Sequence, residues 1–324
     1  TGMFCLAGGH LLKGKKPKDA TIFSAEGYVS VAVCWIVLSI CGAIPLYLSG
    51  YFPNPVDALF EIVSGFTTTG ATILGDVEVL PRSVLMWRSF SHWIGGMGVL
   101  VFILALLPMA GASSMYLMRA ESPGPSVGKL VPKVRSTAKI LYTIYLLMTI
   151  LEMVLLAVAG CPLFDSVNLA FATAGTGGFG VLNSSAGDYN AVIQIILTVF
   201  MILFGVNFNV YFLIYSKNIK DAFKCEEARI YIGIIAAAVL LISVNTYSMF
   251  RGAGETLLHV SFQVASIITT TGFSTVDFEL WPEFSRTILV ILMFVGACAG
   301  STGGGIKVSR VAIMAKTIIK ELAV

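Results

Sequence analysis

The chain has 324 residues, of which 56% are hydrophobic and 12% charged, with a formal net charge of +3. Soluble domains carry about 25% charged residues, so this composition excludes an ordinary soluble domain and points to an all-α polytopic membrane protein. The six cysteines are scattered and show neither a CxxC pair nor Cys/His metal spacing, so we read them as small packing residues.

Apolar runs near the membrane-spanning length of roughly 20 residues recur along the chain. They cover 28–50, 84–110, 138–160, 190–215, 229–249 and 284–299. Seventeen of the 21 basic residues fall in four places. These are Lys13, Lys15, Lys16 and Lys18; Arg119, Lys129, Lys133, Arg135 and Lys139; Lys217, Lys220, Lys224 and Arg229; and Lys307, Arg310, Lys316 and Lys320. The positive-inside rule assigns all four to the cytoplasmic face. The intervening segments hold ten of the 18 acids but only Arg82, Arg88, Arg251 and Arg286 as bases. A net negative outer face concentrates cations.

In chain order, residues 1–27 form an N-terminal cytoplasmic flank. A first unit covers 28–115, with a short segment at 56–72, and a cytoplasmic loop follows at 116–137. The second unit covers 138–216, with its short segment at 164–180, and is followed by the loop 217–228. A third covers 229–324, with its short segment at 255–275.

The short segments are versions of one pattern: "DALFEIVSGFTTTG", "DSVNLAFATAGTGGF" and "HVSFQVASIITTTGF". Asp57 and Asp165 each lie 13 residues before Gly70 and Gly178, and Phe60, Asn168 and Phe262 lie ten before their glycines. Fixed spacing over three copies is the mark of an internal repeat. Each copy is too short to span, so the unit reads as helix, re-entrant short helix, helix. Irregular backbone at membrane depth is tolerated only beside protein or a water-filled cavity. A short helix entering from outside aims its negative C-terminal end at mid-membrane, which suits a cation. The glycine that follows can turn carbonyls inward, and rings of carbonyls replace an ion's hydration shell. Threonine hydroxyls add acceptors. "TTTG" therefore reads as one wall of an ion filter.

The last apolar run is broken by "VGACAGSTGGGIK" at 295–307. Glycine costs about 1 kcal/mol in a helix relative to alanine, so the five glycines of 296–305 predict a non-helical loop there. Lys307 reads equally as a residue near the cytoplasmic mouth of a pore and as the first of an interfacial basic cluster.

Other features have plainer readings. "GTGGFG" at 175–180 fits G-x-G-x-x-G but lacks the strand, helix and distal acid of a dinucleotide site. "GSTGGGIK" at 300–307 lacks the Lys-Ser/Thr of a P-loop. Glu152 sits mid-span, where we expect a protonated or hydrogen-bonded acid packed on a neighbouring helix. Asn207 or Asn209 is expected to face an inner cavity, or failing that to join helices. His10, His92 and His259 show no ligand spacing and read as packing residues. There is no catalytic dyad or metal cluster at depth, so the chain reads as no enzyme.

Several stretches together resemble the membrane subunit of the Trk/Ktr/HKT superfamily of potassium transporters, the Trk type (TrkH) most closely. They are "ALFEIVSGFTTTGATIL", "WRSFSHWIGGMGVLVFILALLP", "RAESPGP", "TGGFG", "SIITTTGF" and "GACAGSTGGGIKVSR". The resemblance implies M1–P–M2 repeats around one pore, with the filter glycine of each repeat at Gly70, Gly178 and Gly272. Adjoining carbonyl and hydroxyl positions would be Thr68, Thr69, Thr176, Gly177, Thr270 and Thr271, with K⁺ as the transported ion and no bound cofactor. It makes 296–305 an intramembrane gate, carried by Gly296, Gly300, Ser301, Thr302, Gly303, Gly304 and Gly305, with Lys307 beside them. It also implies a homodimer in the bacterial plasma (inner) membrane. A cytosolic ring of nucleotide-binding regulatory subunits (TrkA type) would dock on the basic face, and no nucleic acid is implied.

The family's fourth repeat has no counterpart before Val324, so we expect the chain to be a fragment. The implied function is K⁺ uptake through a Thr/Gly filter; the alternative is a Na⁺-permeable or cation-coupled secondary transporter. Repeats that run parallel argue against the inverted architecture of many secondary transporters.

Overall fold

The computed structural model describes residues 24–98 and 134–322, and every regular element among them is helical. The first unit comprises α1 (Ser24–Leu48), α2 (Pro55–Phe66) and α3 (Arg82–Gly96). The second comprises α4 (Val134–Val158), α5 (Leu163–Ala174), α6 (Ala191–Phe204) and α7 (Phe208–Tyr215). A short connecting helix, α8 (Ile219–Lys224), leads to α9 (Glu226–Thr246), α10 (Ala253–Ile268), α11 (Glu283–Val295) and α12 (Val308–Leu322). The apolar run 84–110 continues past α3 into residues outside those described.

Local chemistry explains where the short helices start. Asn54 caps α2, its Oδ1 accepting from the Val56 amide at 3.0 Å, with Pro55 at the first helical position and Asp57 in the first turn. Pro162 precedes α5, and Asp165 lies in its first turn. Gly252 precedes α10, with Glu255 in its first turn. His259 lies in the second turn of α10.

Within each unit the short helix packs between the two longer ones: α2 against α1 and α3, α5 against α4 and α6, α10 against α9 and α11. The units then join in rotation. The exit helix α3 packs on the next unit's short helix α5, and the exit helix α6 packs on α10. This places all three short helices inward and leaves the long helices outside.

Outward residues are apolar: Val33, Ile36 and Ile40 on α1, Leu147, Leu151 and Val154 on α4, and Leu240, Leu241 and Val244 on α9 are all exposed. Exposed aliphatic stripes on helices with polar residues buried inside suit a lipid solvent. Three described helical stretches are long and apolar enough to cross a membrane, Val31–Leu48, Lys139–Val158 and Glu226–Met249.

The apolar run 190–215 does not form one straight span. It bends by 88° between α6 and α7, across Gly205–Asn207. A Cβ at Gly205 would overlap the Tyr231 hydroxyl, so that close approach requires glycine. Asn207 restarts the helix as its cap, Oδ1 accepting from the Asn209 amide at 2.9 Å. Its Nδ2 also donates to Glu227 on α9 at 3.2 Å, so Asn207 joins two helices. Glu152 is completely buried on α4, as expected.

Candidate functional site

The three short helices end in the same backbone geometry. Thr67, Gly175 and Thr269 donate their amides to Val63, Phe171 and Ala265 at 2.8, 3.1 and 3.1 Å. The residue after each takes positive φ: Thr68 at 55°, Thr176 at 53° and Thr270 at 59°. Next, the amides of Thr69, Gly177 and Thr271 bond back to Ser64, Ala172 and Ser266, each at 2.9 Å. Gly70, Gly178 and Gly272 follow, again at positive φ, 74°, 80° and 91°.

A β-branched residue in the left-handed region costs on the order of 1 kcal/mol, and here it recurs at three equivalent positions. The alternation turns the chain sharply off the helix and leaves it extended. Two hydroxyls hold the extended part in the outer units: Ser64 Oγ donates to the Ala71 carbonyl and Ser266 Oγ to the Phe273 carbonyl, both at 2.6 Å. The middle unit has Ala172 at that position and lacks the bond.

These three segments are neighbours. A Cβ on Gly70 would overlap the Gly177 carbonyl oxygen, and one on Gly178 would overlap the Thr271 carbonyl oxygen. First meets second and second meets third by the same contact, in the rotational order of the helices. Gly70, Gly178 and Gly272 thus lie on neighbouring segments, with Thr68, Thr69, Thr176, Gly177, Thr270 and Thr271 on the same stretches.

The sequence of the middle segment departs from TTTG for a steric reason. In the outer units Thr67 pairs with Thr69, and Thr269 with Thr271, hydroxyl to hydroxyl at 2.8 Å. In the middle unit those positions are Gly175 and Gly177. A Cβ at Gly175 would strike the His92 carbonyl, and one at Gly177 would strike the His92 ring. His92, on α3, fills the space and stacks on Phe179 with centroids 4.1 Å apart.

Behind this wall lies a buried ion pair. Arg88 Nε donates to Glu61 Oε1 at 2.7 Å, with side chains 2% and 0% exposed. Thr72 Oγ1 donates to both Glu61 oxygens at 2.9 and 3.1 Å, and the Arg88 guanidinium lies 4.2 Å from the Phe179 ring centroid. Glu61 belongs to the first short helix, Thr72 to the chain after Gly70, and Phe179 follows Gly178. The pair therefore braces the segments that carry Gly70 and Gly178 at once. Sequence reasoning counted Glu61 and Arg88 only as outer-face charges; the available signal was one acid and one base, each alone in an apolar stretch.

The glycine-rich loop packs against the same segments. Regular helix stops at Val295 and resumes at Val308. Gly296, Gly300 and Gly305 have positive φ of 72°, 70° and 85°. Thr176 Oγ1 donates to the Thr302 carbonyl at 3.0 Å, and the Gly304 amide donates to Thr270 Oγ1 at 2.7 Å. Ser301 Oγ turns back on the Cys298 carbonyl at 2.6 Å. A Cβ on Gly303 would crowd the Thr269 carbonyl. Lys307 Nζ donates to the Gly303 carbonyl.

An all-helical multi-pass membrane protein, assembled from repeated units whose short central helices end in neighbouring polar backbone, is the class this fold defines. The family model described as TrkH, cation transport protein, matches residues 1–242 and 229–323. The chain belongs to that family, which is one of transporters and not of enzymes. It is 38% identical over 306 residues to the Trk system potassium uptake protein TrkH of Salmonella typhimurium, covering 92% of this chain and 63% of that one. It is 34% identical over 325 residues to the Trk system potassium uptake protein TrkG of Escherichia coli, covering 98% and 67%. The crystal structure of the potassium transporter TrkH from Vibrio parahaemolyticus matches with a TM-score of 0.83 at 32% identity, over 99% of this chain and 66% of that one. The chain thus spans 63% of the length of the Salmonella relative.

Proposed function

We propose that this chain supplies three walls of a K⁺-conducting filter, with Gly70, Gly178 and Gly272 at its centre and the loop 296–305 as its gate. One observation carries the reading: three adjacent segments repeat the same Thr-then-Gly positive-φ alternation. Such backbone directs carbonyls to one side, where they take over an ion's hydration shell, and the helix ends add partial negative charge. The relatives' role as potassium uptake proteins agrees with it. A fourth filter segment completes the ring. The bacterial inner membrane, the homodimer and the cytosolic nucleotide-binding ring belong to this reading.

Energetically the loop suits a gate. Its five glycines forgo roughly 5 kcal/mol of helix propensity at ~1 kcal/mol each, so moving it sacrifices little regular structure. The test uses the full-length protein in proteoliposomes. Gly178→Ser places a Cβ where φ is positive and reorients a ligating carbonyl. The K⁺/Na⁺ permeability ratio should fall with expression retained. An unchanged ratio sinks the filter assignment of Gly178.

A further inference from the structure

The loop 296–305 is bonded on two flanks, and only one of them is the filter. On the other, Glu227 in the first turn of α9 gathers three donors. Its Oε1 accepts from the Ala299 amide at 2.6 Å and from the Ser309 amide at 3.2 Å. Its Oε2 accepts from Asn207 Nδ2 at 3.2 Å. Those donors lie on the loop, at the start of α12 and at the bend between α6 and α7. Around them the Cys298 amide bonds to the Gly205 carbonyl at 3.0 Å, and the Phe208 amide to the Gly300 carbonyl at 2.9 Å. The loop apex 298–300 thus sits on the broken α6–α7 joint, and one carboxylate ties joint, apex and α12 together.

We propose that Glu227 is the latch of the loop: a positioning residue that holds segment 298–300 in its closed place and links its release to movement of α12. The inference rests on the gate reading above. Backbone amides of a glycine-rich segment at membrane depth need acceptors, and a glutamate side chain offers two oxygens to serve them. Because Ala299 and Ser309 share the same oxygen, a displacement of α12 that withdraws Ser309 also loosens the apex. The adjacent Glu226–Lys316 pair at 2.5 Å adds a second tie between α9 and α12, but both its side chains are more than half exposed and it contributes little.

The loop carries its own reporter, since Cys298 is completely buried. The experiment uses full-length protein with its other cysteines replaced by serine, reconstituted without the cytosolic partner. Two quantities are read: the rate at which a charged methanethiosulfonate reagent modifies Cys298, and Rb⁺ flux. Glu227→Ala should raise both by about tenfold or more, the shift that losing charge-assisted hydrogen bonds gives a two-state element. Glu227→Gln keeps an acceptor and should return both to within about threefold of the parent. Should the alanine variant fail to insert, Glu227→Met keeps the volume and takes its place.

A loop deletion run in parallel separates the two ideas. If deletion raises flux while Glu227→Ala leaves Cys298 modification unchanged, the latch is wrong and the gate stands. If deletion leaves flux unchanged, the gate reading falls, and Cys298 modification alone decides whether Glu227 holds the loop. A glutamine variant as reactive as alanine also overturns the latch.

Discussion

Glu61 and Arg88 face each other at 2.7 Å with almost no exposure, joining the first short helix to the exit helix of its own unit. Burying two charges is costly, and their attraction does little more than offset it. The pair acts through what it touches: Thr72 after Gly70, and Phe179 after Gly178. Removing one partner leaves an uncompensated buried charge, worth about 3–5 kcal/mol. Glu61→Gln and Arg88→Met should each lower the detergent-solubilised unfolding midpoint strongly. The double variant Glu61→Gln/Arg88→Met should recover most of the loss. Additive losses, in a double-mutant cycle, would show that the two side chains do not act as a pair.

Gly177 and His92 make a second coupled pair. A Cβ at Gly177 enters the His92 ring, and overpacking of this kind costs typically about 1–3 kcal/mol. Gly177→Ala should therefore destabilise, whereas in a His92→Ala background the same change should be nearly neutral. The coupling energy from the four proteins, measured by chemical or thermal unfolding, should favour the double variant. Equal effects of Gly177→Ala in both backgrounds would remove the steric account of the departure from TTTG.

These two pairs mark where sequence reading stops. The repeat was legible because helix, Thr/Gly turn and helix recur at constant spacing, and local backbone demands leave a periodic trace. The loop at 296–305 was legible for the same reason: a run of glycines weakens helix wherever it falls. His92 left no such trace, because its effect on Gly175 and Gly177 comes from another helix 83 and 85 residues earlier. Glu227 in "KCEEARIY" looks like part of a solvated charge run. Its partners Ala299 and Ser309 offer only backbone amides, which every sequence has. The bend after Phe204 carried a weak signal, glycine followed two residues later by the capping residue Asn207, overridden in the reading by the apolar run around it.

Asn183 ties the loops that follow Gly70 and Gly178. Its Nδ2 donates to Asp76 Oδ1 at 2.7 Å, its Oδ1 accepts from the Val77 amide at 2.8 Å, and its amide donates to Glu78 Oε1 at 2.9 Å. The Asn183 bond, followed by the Glu78 amide, holds the Asp76 carboxyl below its ordinary 3.8. A depressed folded pKa contributes stability that is present above the ordinary value and lost as pH falls through the folded one. Hydrogen-exchange protection of the Val77 amide, corrected for intrinsic rate, should hold from neutral pH to about 4 and fall below it. Asn183→Ala should abolish protection and its pH dependence together. Protection that is flat through this range would remove Asp76 from the clamp.

Thr176 and Thr270 bear two duties, and they can be separated. Both hold positive-φ backbone at the ends of the short helices, and their hydroxyls also bond the loop at Thr302 and Gly304. Valine keeps the β-branched shape while removing the hydroxyl, together with its local bonds to the Gly175 and Thr269 carbonyls at 2.7 and 2.6 Å. Serine keeps the hydroxyl. Each neutral hydrogen bond contributes about 1 kcal/mol, or roughly a fivefold shift between closed and open loop. Thr176→Val and Thr270→Val should each raise partner-independent Rb⁺ flux of the full-length protein by about threefold to tenfold. The serine variants should match the parent. Because the two bonds lie on separate units and share no atom, the double valine variant should approach the product of the two effects. Flux that stays at the parental level in both valine variants would mean that these bonds do not hold the loop shut, and the filter side of the gate would have to be sought elsewhere.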